Sequence, residues 1–364
     1  MLKNFLKLDW IGVAVVILLL AIGLTALYSV SSVDNSLNTD HLKRQGSAMA
    51  LGIGMAIFLV FFDYRALSSY STRSYFATIG ILMAVFFFGT TVRGTTGWIG
   101  FGSFHIQPVE MVKLIMIIFL ASFLSKKKTE LSMVLRIIAS IVLVFLPVFL
   151  VLKQPDFGSA AVIVGIWCGM LIASGISKKN LFILFLIGIV AATSGWIFLK
   201  NYQKERIINF VKPGNDPLGT GYNVIQSTVA VGSGGIFGKG LGHGSQSQLN
   251  FLPEKHTDFI FAAIAEELGL LGAFIVLGLY GILLYRMKET ARLARDNFGY
   301  LVVVGIILML FLQIFINIGM NIGVVPVAGV PLPLLSFGGS SLVAVLISIG
   351  IVQSVYARRL KAID

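Results

Sequence analysis

Cysteine, histidine and acidic residues are scarce in this chain of 364 residues: it has one Cys, four His, and 16 Asp and Glu against 28 Lys and Arg. The lone Cys168, set inside an apolar run, excludes an intramolecular disulfide and a cysteine-held metal cluster. His41, His105, His243 and His256 lack the spacing of zinc ligands. Charge of either sign is short too. Only 12% of residues are charged while 57% are hydrophobic, with a mean hydropathy of +0.91. A soluble domain has about 25% charged residues, so these values exclude an ordinary soluble domain and make this an integral membrane protein. No Gly-x-Ser-x-Gly nucleophile elbow is present. The glycine run at 232–244 invites a phosphate-loop reading but fails it: Ser233 stands where the first glycine should be and Gly240 where Ser or Thr is needed. It reads as a close-packing loop, with no nucleotide cofactor.

What is present is a series of apolar runs long enough to cross a hydrocarbon layer, which takes about 20 helical residues. They fall near 10–28, 47–62, 75–92, 110–124, 134–152, 159–176, 181–199, 258–285, 300–322 and 340–356. The sequence therefore predicts an all-α, polytopic membrane protein of about ten spans, one domain over 1–364, with a large extracytoplasmic loop at 200–257 between spans seven and eight. Lys3 and Lys7 before the first run read as the flank of a first span rather than of a cleaved signal. Most Lys and Arg fall on one side if both termini are cytoplasmic. The net charge of +12 is then mostly topology, and nucleic acid is excluded as a partner. Nine of the ten run interiors read as free of charge, which argues against an ion- or proton-coupled transporter. The eighth holds Asp258, Glu266 and Glu267, but 268–285 alone nearly crosses the core, so 258–267 reads as an extension outside the lipid.

Polar groups gather on that outer side in four places: the loop Arg93 to Lys113, the tight connection Lys153 to Gly158, the loop Lys200 to Thr257, and Val324 to Ser341. The last is apolar but has three prolines and a glycine pair, and non-helical backbone at membrane depth must be buried in protein or line a cavity. Pro108 marks a helix start with Glu110 in its first turn. Trp98 reads as an interfacial anchor. Gln313, Asn317 and Asn321 recur every four residues on one helix face, the spacing of interhelical hydrogen bonds. Asp258, in Leu252-Pro253-Glu254-Lys255-His256-Thr257-Asp258, is either a helix cap or a proton acceptor. Lys113, Lys153 and Arg206 are cations able to stabilise an anionic leaving group.

Four strings go further: GWIGFGSFHIQPVE (97–110), KQPDFGSA (153–160), QSTVAVGSGGIFGKGLGHGSQSQLNFLPEKHTDFIFAAIAEELGLLG (226–272) and NIGMNIGVVPVAGVPLPLLSFGGSS (317–341). From Arg93 to the C-terminus the chain resembles the SEDS family of shape, elongation, division and sporulation proteins, and the elongation branch more than the division branch. The resemblance implies a peptidoglycan glycosyltransferase in a bacterial cytoplasmic membrane, polymerising lipid II at the outer face. The 4-hydroxyl of the acceptor's N-acetylglucosamine would attack C1 of the donor's N-acetylmuramic acid, with inversion and loss of undecaprenyl pyrophosphate. It places the essential aspartate at Asp258, and makes Lys113, Lys153 and Arg206 candidates for pyrophosphate contact with a divalent cation, Mg or Mn. Glu110, Gln154 and Asp156 become candidate organisers of the site, and Glu254 and His256 candidate substrate contacts by proximity. Implied partners are a class B penicillin-binding protein and the membrane proteins of an elongation complex.

Two positions depart from the family's pattern: Gly97, where an arginine is common, and Val109, where a serine is. Arg93 is a candidate replacement for the first. The rival functions are a lipid II flippase, a division-type polymerase, and a scaffold for the transpeptidase. A flippase would need polar residues continuing through the spans.

Overall fold

The structure is a computed structural model that describes residues 7–31, 39–92, 95–101, 104–126, 133–177, 220–249, 251–252 and 254–359, with 179–184 and a few single positions up to 210. Eight described helices are long and apolar enough to cross a membrane: α1 Trp10–Ser31, α2 Thr39–Phe61, α3 Arg65–Phe88, α4 Pro108–Ser125, α5 Met133–Lys153, α9 Ile260–Arg292, α10 Asn297–Asn321 and α11 Gly339–Ala357. A ninth apolar helix, α6 Phe157–Ala173, is shorter. These nine fall on nine of the ten expected runs. The expected seventh run, 181–199, lies largely outside the described residues, as does Arg206.

Helix α10 runs through the core, with Val302, Val303 and Ile306 fully buried among α4, α6 and α9. Outward faces carry Phe76, Phe88 and Phe145, all exposed, as a lipid-facing surface requires.

Two expectations change. The stretch after α3 is not an irregular loop but a small antiparallel sheet: β1 Thr90–Val92, β2 Thr95–Phe101 and β3 Phe104–Ile106 in the order β1-β2-β3, with Ile99 opposite Ile106 and Gly100 opposite His105. Its Thr, Val, Ile and aromatic residues favour strands, so the fold is helical with this one hairpin-like addition among the described residues. The long 200–257 segment, in turn, holds two helices, α7 Thr220–Ser233 and the single turn α8 Ser245–Gln248. Ser227 on α7 is fully buried and its hydroxyl donates to Asn321 O at 2.9 Å, which fastens α7 to the end of α10.

Helix α9 breaks where 258–267 was expected to leave the lipid. Gly269 has φ +68° and ψ −165°, and beyond it the helix continues to Arg292. The glycine run plugs the break. Lys239 N and Gly240 N donate to the carbonyls of Glu266 and Glu267 at 3.0 and 2.9 Å, while Leu270 N and Leu271 N donate to Gly235 O and Ile236 O at 2.9 and 3.2 Å. Backbone groups orphaned by a helix break must find such partners in a membrane protein.

At the end opposite these polar segments, α1, α9 and α11 are tied by Arg286, whose Nη2 and Nε donate to Asp9 Oδ1 at 2.6 and 3.0 Å, and by Gln353, whose Oε1 accepts from Asp9 N at 3.0 Å. Tyr64 Oη and Arg65 Nε both donate to Asp296 Oδ2, at 2.8 and 3.1 Å. The described helix ends thus alternate between the two ends of the molecule, and the described parts of the four polar segments share one end.

Candidate active site

The turn before α9 is built on one carbonyl. Glu254 adopts φ +48°, uncommon for a residue with a side chain, and its O accepts from the amides of Thr257, Asp258 and Phe259 at 3.1, 3.2 and 3.4 Å. The N-cap of α9 is Phe259, with no side-chain cap bond, so Asp258 precedes the cap rather than serving as it. Lys255, nearly buried, donates from Nζ to Ser247 O at 2.5 Å and anchors the turn to α8. Ser247 N in turn donates to Glu266 Oε2 at 3.0 Å.

Three consecutive carbonyls of the turn are gripped from outside. His256 O accepts from Phe337 N at 2.8 Å, and Thr257 O from Ser336 Oγ at 2.5 Å. Asp258 O accepts from both Asn317 Nδ2 and Asn321 Nδ2, each at 3.0 Å. Asn321 Oδ1 also accepts from Ala262 N at 3.1 Å, and Asn317 Nδ2 donates to Val330 O at 2.8 Å. Two of the three residues of the polar stripe expected on span nine, Asn317 and Asn321, therefore form an interelement hydrogen-bond rail, with α9's entry and the 324–338 segment on it; the third, Gln313, is buried with its Oε1 unpaired among the described residues. The Asp258 side chain is half-buried and faces Gly329: a Cβ built there would lie 3.7 Å from Asp258 Oδ2.

The other face of that segment meets a second polar group. A methyl group on Gly158 would overlap Ala328 O, so α6 can approach the segment this closely only with glycine there. Asp156 caps α6, its Oδ1 accepting from Ser159 N at 2.9 Å while its Oδ2 accepts from Gln107 Nε2 at 3.3 Å. Burial pushes the Asp156 carboxyl up, opposed by the Ser159 bonds and the Lys113 charge. Pro108 occupies the first turn of α4 as expected. Glu110 and Lys113, buried at 2% and 1% exposure, form an ion pair at 2.7 Å. The fourth run thus carries a charged pair in its opening turns, which corrects the view of it as charge-free. Gln107 N donates to Ser340 Oγ at 2.9 Å, so the start of α11 touches this group as well.

The remaining candidates are placed as follows. Gln154 is buried and donates to Leu82 O at 3.0 Å, and a side chain at Gly97 would point at its Oε1, 3.5 Å away. Val109 is core. Lys153 is exposed with Nζ 5.3 Å from the Phe149 ring centre, and the structure does not bring it into the buried Glu110, Lys113 and Asp156 group. Glu254 is exposed, its Oε2 accepting from Thr257 Oγ1 at 3.3 Å. His256 lies against His41 of α2, ring centres 5.0 Å apart. Arg93, like Arg206, lies outside the described residues. Among the described residues no three His, Cys, Asp or Glu side chains converge to hold a metal ion by themselves.

This arrangement can hold a carboxylate at a fixed angle beside irregular backbone, with a cation and further carboxylates across that backbone. Such a set suits proton removal from a hydroxyl beside an anionic leaving group.

Comparisons with known proteins agree. The model of the FtsW/RodA/SpoVE cell cycle protein family matches residues 9–361. The peptidoglycan glycosyltransferase MrdB of Escherichia coli K12 is 37% identical over 97% of this chain and 94% of its own. Stage V sporulation protein E of Bacillus subtilis is 38% identical over 95% of this chain and 96% of its own. Among solved structures, a chain of a peptidoglycan synthase complex that coordinates polymerization and crosslinking superposes with a TM-score of 0.83 at 34% identity, over 97% of this chain and 99% of that one. The rod shape determining protein RodA of Thermus thermophilus gives 0.74 at 29% identity over 98% and 99%. The chain belongs to the FtsW/RodA/SpoVE family of cell cycle proteins, the SEDS family, as its strings at 97–110, 153–160, 226–272 and 317–341 imply.

Proposed function

We infer that this multi-pass membrane protein is a peptidoglycan glycosyltransferase of the elongation type that polymerises lipid II. One observation carries the reading: an aspartate outside the helix cap, its backbone gripped at three consecutive carbonyls, faces the 324–338 segment in a chain whose family includes named peptidoglycan glycosyltransferases.

In this reading Asp258 accepts the proton of the acceptor sugar's 4-hydroxyl as that oxygen attacks the donor's C1. The C1–O bond to the diphosphate breaks, the leaving group keeps the electron pair, and C1 inverts. A positioned general base contributes about 10²–10⁴-fold. Lys113, Lys153 and Arg206 are the candidate cations for the diphosphate, with Glu110 orienting Lys113. Asp156, Gln154, Glu254 and His256 are candidates for shaping the substrate's place. A divalent cation, Mg²⁺ or Mn²⁺, is proposed only as a companion of the diphosphate, since magnesium commonly joins one or two carboxylates to substrate phosphates; no step is assigned to it. Both termini are assigned to the cytoplasm and the Asp258 end to the outer face, which the bias of Lys and Arg supports. The proposed partners are a class B penicillin-binding protein transpeptidase, supported by the likeness to a chain of a complex that joins polymerization to crosslinking, and other elongation-complex membrane proteins.

The test uses the purified protein with its transpeptidase partner and purified lipid II, assayed for glycan product and, in sealed vesicles, for lipid translocation. Polymer is expected. Translocation without polymer would establish the flippase instead.

A further inference from the structure

The family strings begin after residue 93, yet two side chains from the second helix bear on the Asp258 turn, His41 by contact with it and Gln45 through the 336–338 backbone that holds it. Gln45, 4% exposed on α2, donates from Nε2 to Ser336 O at 3.1 Å and accepts at Oε1 from Gly338 N at 3.2 Å. A primary amide carries both a donor and an acceptor, so this side chain grips the 336–338 backbone as a neighbouring strand would. The gripped stretch is the one that holds the turn: Ser336 Oγ donates to Thr257 O at 2.5 Å and Phe337 N to His256 O at 2.8 Å. One helical turn before Gln45, on the same face, His41 packs on both parties, 5.0 Å from the His256 ring and 4.8 Å from the Phe337 ring, edge-on.

We propose that Gln45 is a positioning residue for Asp258, acting through the Ser336–Gly338 backbone that it clamps on one side and that clamps the His256 and Thr257 carbonyls on the other. This rests on the assignment of Asp258 to proton transfer. The backbone angles of the residues leading into Asp258 help set the direction in which its side chain leaves the chain. Asn317 and Asn321 fix only the carbonyl of Asp258 itself. The two carbonyls before it depend on 336–337, and that stretch is held from the far side by Gln45. Losing the clamp loosens the backbone that carries the carboxylate and leaves the carboxylate itself, and the contacts proposed for Lys113, Asp156 and Gln154, in place. Such a loss falls on kcat rather than KM, and a misplacement of about 1 Å is enough to cost about 10²-fold.

The experiment measures kcat and KM for lipid II polymerisation by the partner-bound complex of Gln45→Ala, Gln45→Glu, Ser336→Ala and the double variant Gln45→Ala with Ser336→Ala, counted per folded complex. Gln45→Glu keeps shape and acceptor but, ionised, offers no donor to Ser336 O. The expected result is a fall in kcat of about 10- to 100-fold with KM within about twofold, and a double variant no slower than the slower single one, because both act through one clamp. A folded Gln45→Ala with wild-type kcat, or single losses that multiply in the double variant, would overturn it. Should Gln45→Ala not fold, Gln45→Glu and Ser336→Ala decide on the same terms. An active wild type and inactive Asp258→Ala beside an unaffected Gln45→Ala sink this inference alone, whereas a folded Asp258→Ala at full rate sinks the assignment beneath it.

Discussion

Asp258 has its backbone carbonyl gripped by two asparagine side chains, Asn317 and Asn321. Asn321 serves two masters, donating to Asp258 O and accepting from the buried Ala262 N. Asn321→Ala leaves a buried N–H unpaired and is expected to lower stability by about 1–3 kcal/mol, read from denaturant unfolding, with a further loss of polymerisation rate in the folded fraction. The Glu110 and Lys113 pair gives a second prediction. Removing one partner of a buried pair costs about 3–5 kcal/mol, while replacing both with apolar side chains of similar volume is often neutral. Lys113→Met should therefore unfold readily, Glu110→Leu with Lys113→Met should regain stability, and the regained protein should stay inactive if Lys113 serves the diphosphate. Recovery of activity along with stability would make the pair structural only. At this scale much was legible. The four-residue spacing of Gln313, Asn317 and Asn321 announced a hydrogen-bonding face, which the two asparagines form and Gln313 does not, and Pro108 announced the start of α4. Gln45 and His41 were invisible, because their partners lie at Ser336 to Gly338 and His256, and no local pattern links residues that far apart.

The broken helix α9 and the glycine run that fills its break are one device. The sequence signal was length: residues 268–285 nearly suffice to span, which left 258–267 in excess. Its geometric form, a left-handed Gly269 plugged by the amides of Lys239 and Gly240, could not be read from composition. Gly269→Ala should cost about 1–3 kcal/mol from backbone strain alone, with more from overlap with the Gly238 backbone. Gly278→Ala, on the same helix with nothing within 4 Å of the new methyl, is the control and should hold or raise stability; thermal unfolding of the two variants compares them. The small β1-β2-β3 sheet was missed for a different reason. Its strands are short, and the glycines at 97 and 100 and the tryptophan between them read as a loop.

Across the whole molecule the two ends do different work. One gathers the Asp258 turn, the Glu110 and Lys113 pair, Asp156 and the irregular 324–338 segment. The other is closed by Arg286 on Asp9 and by Tyr64 and Arg65 on Asp296. In a polymerase confined to the first end, Asp9→Ala should cost stability of about 1.5–3 kcal/mol, the range for a charged hydrogen bond, and leave polymerisation per folded protein unchanged. A transporter, which must open both ends in turn, would change its rate. The span order was enough to sort the described helix ends from sequence, since it follows from the period of apolar runs. How the segments at the polar end interlock was not, because it rests on contacts such as Phe337 N to His256 O between distant parts of the chain. The most direct test of the central claim is the initial rate of glycan polymerisation from purified lipid II by partner-bound Asp258→Ala. A folded, partner-bound variant slowed by at least about 10²-fold, the lower bound for a lost general base, is the predicted result, and glycan made at the wild-type rate is the result that would contradict it.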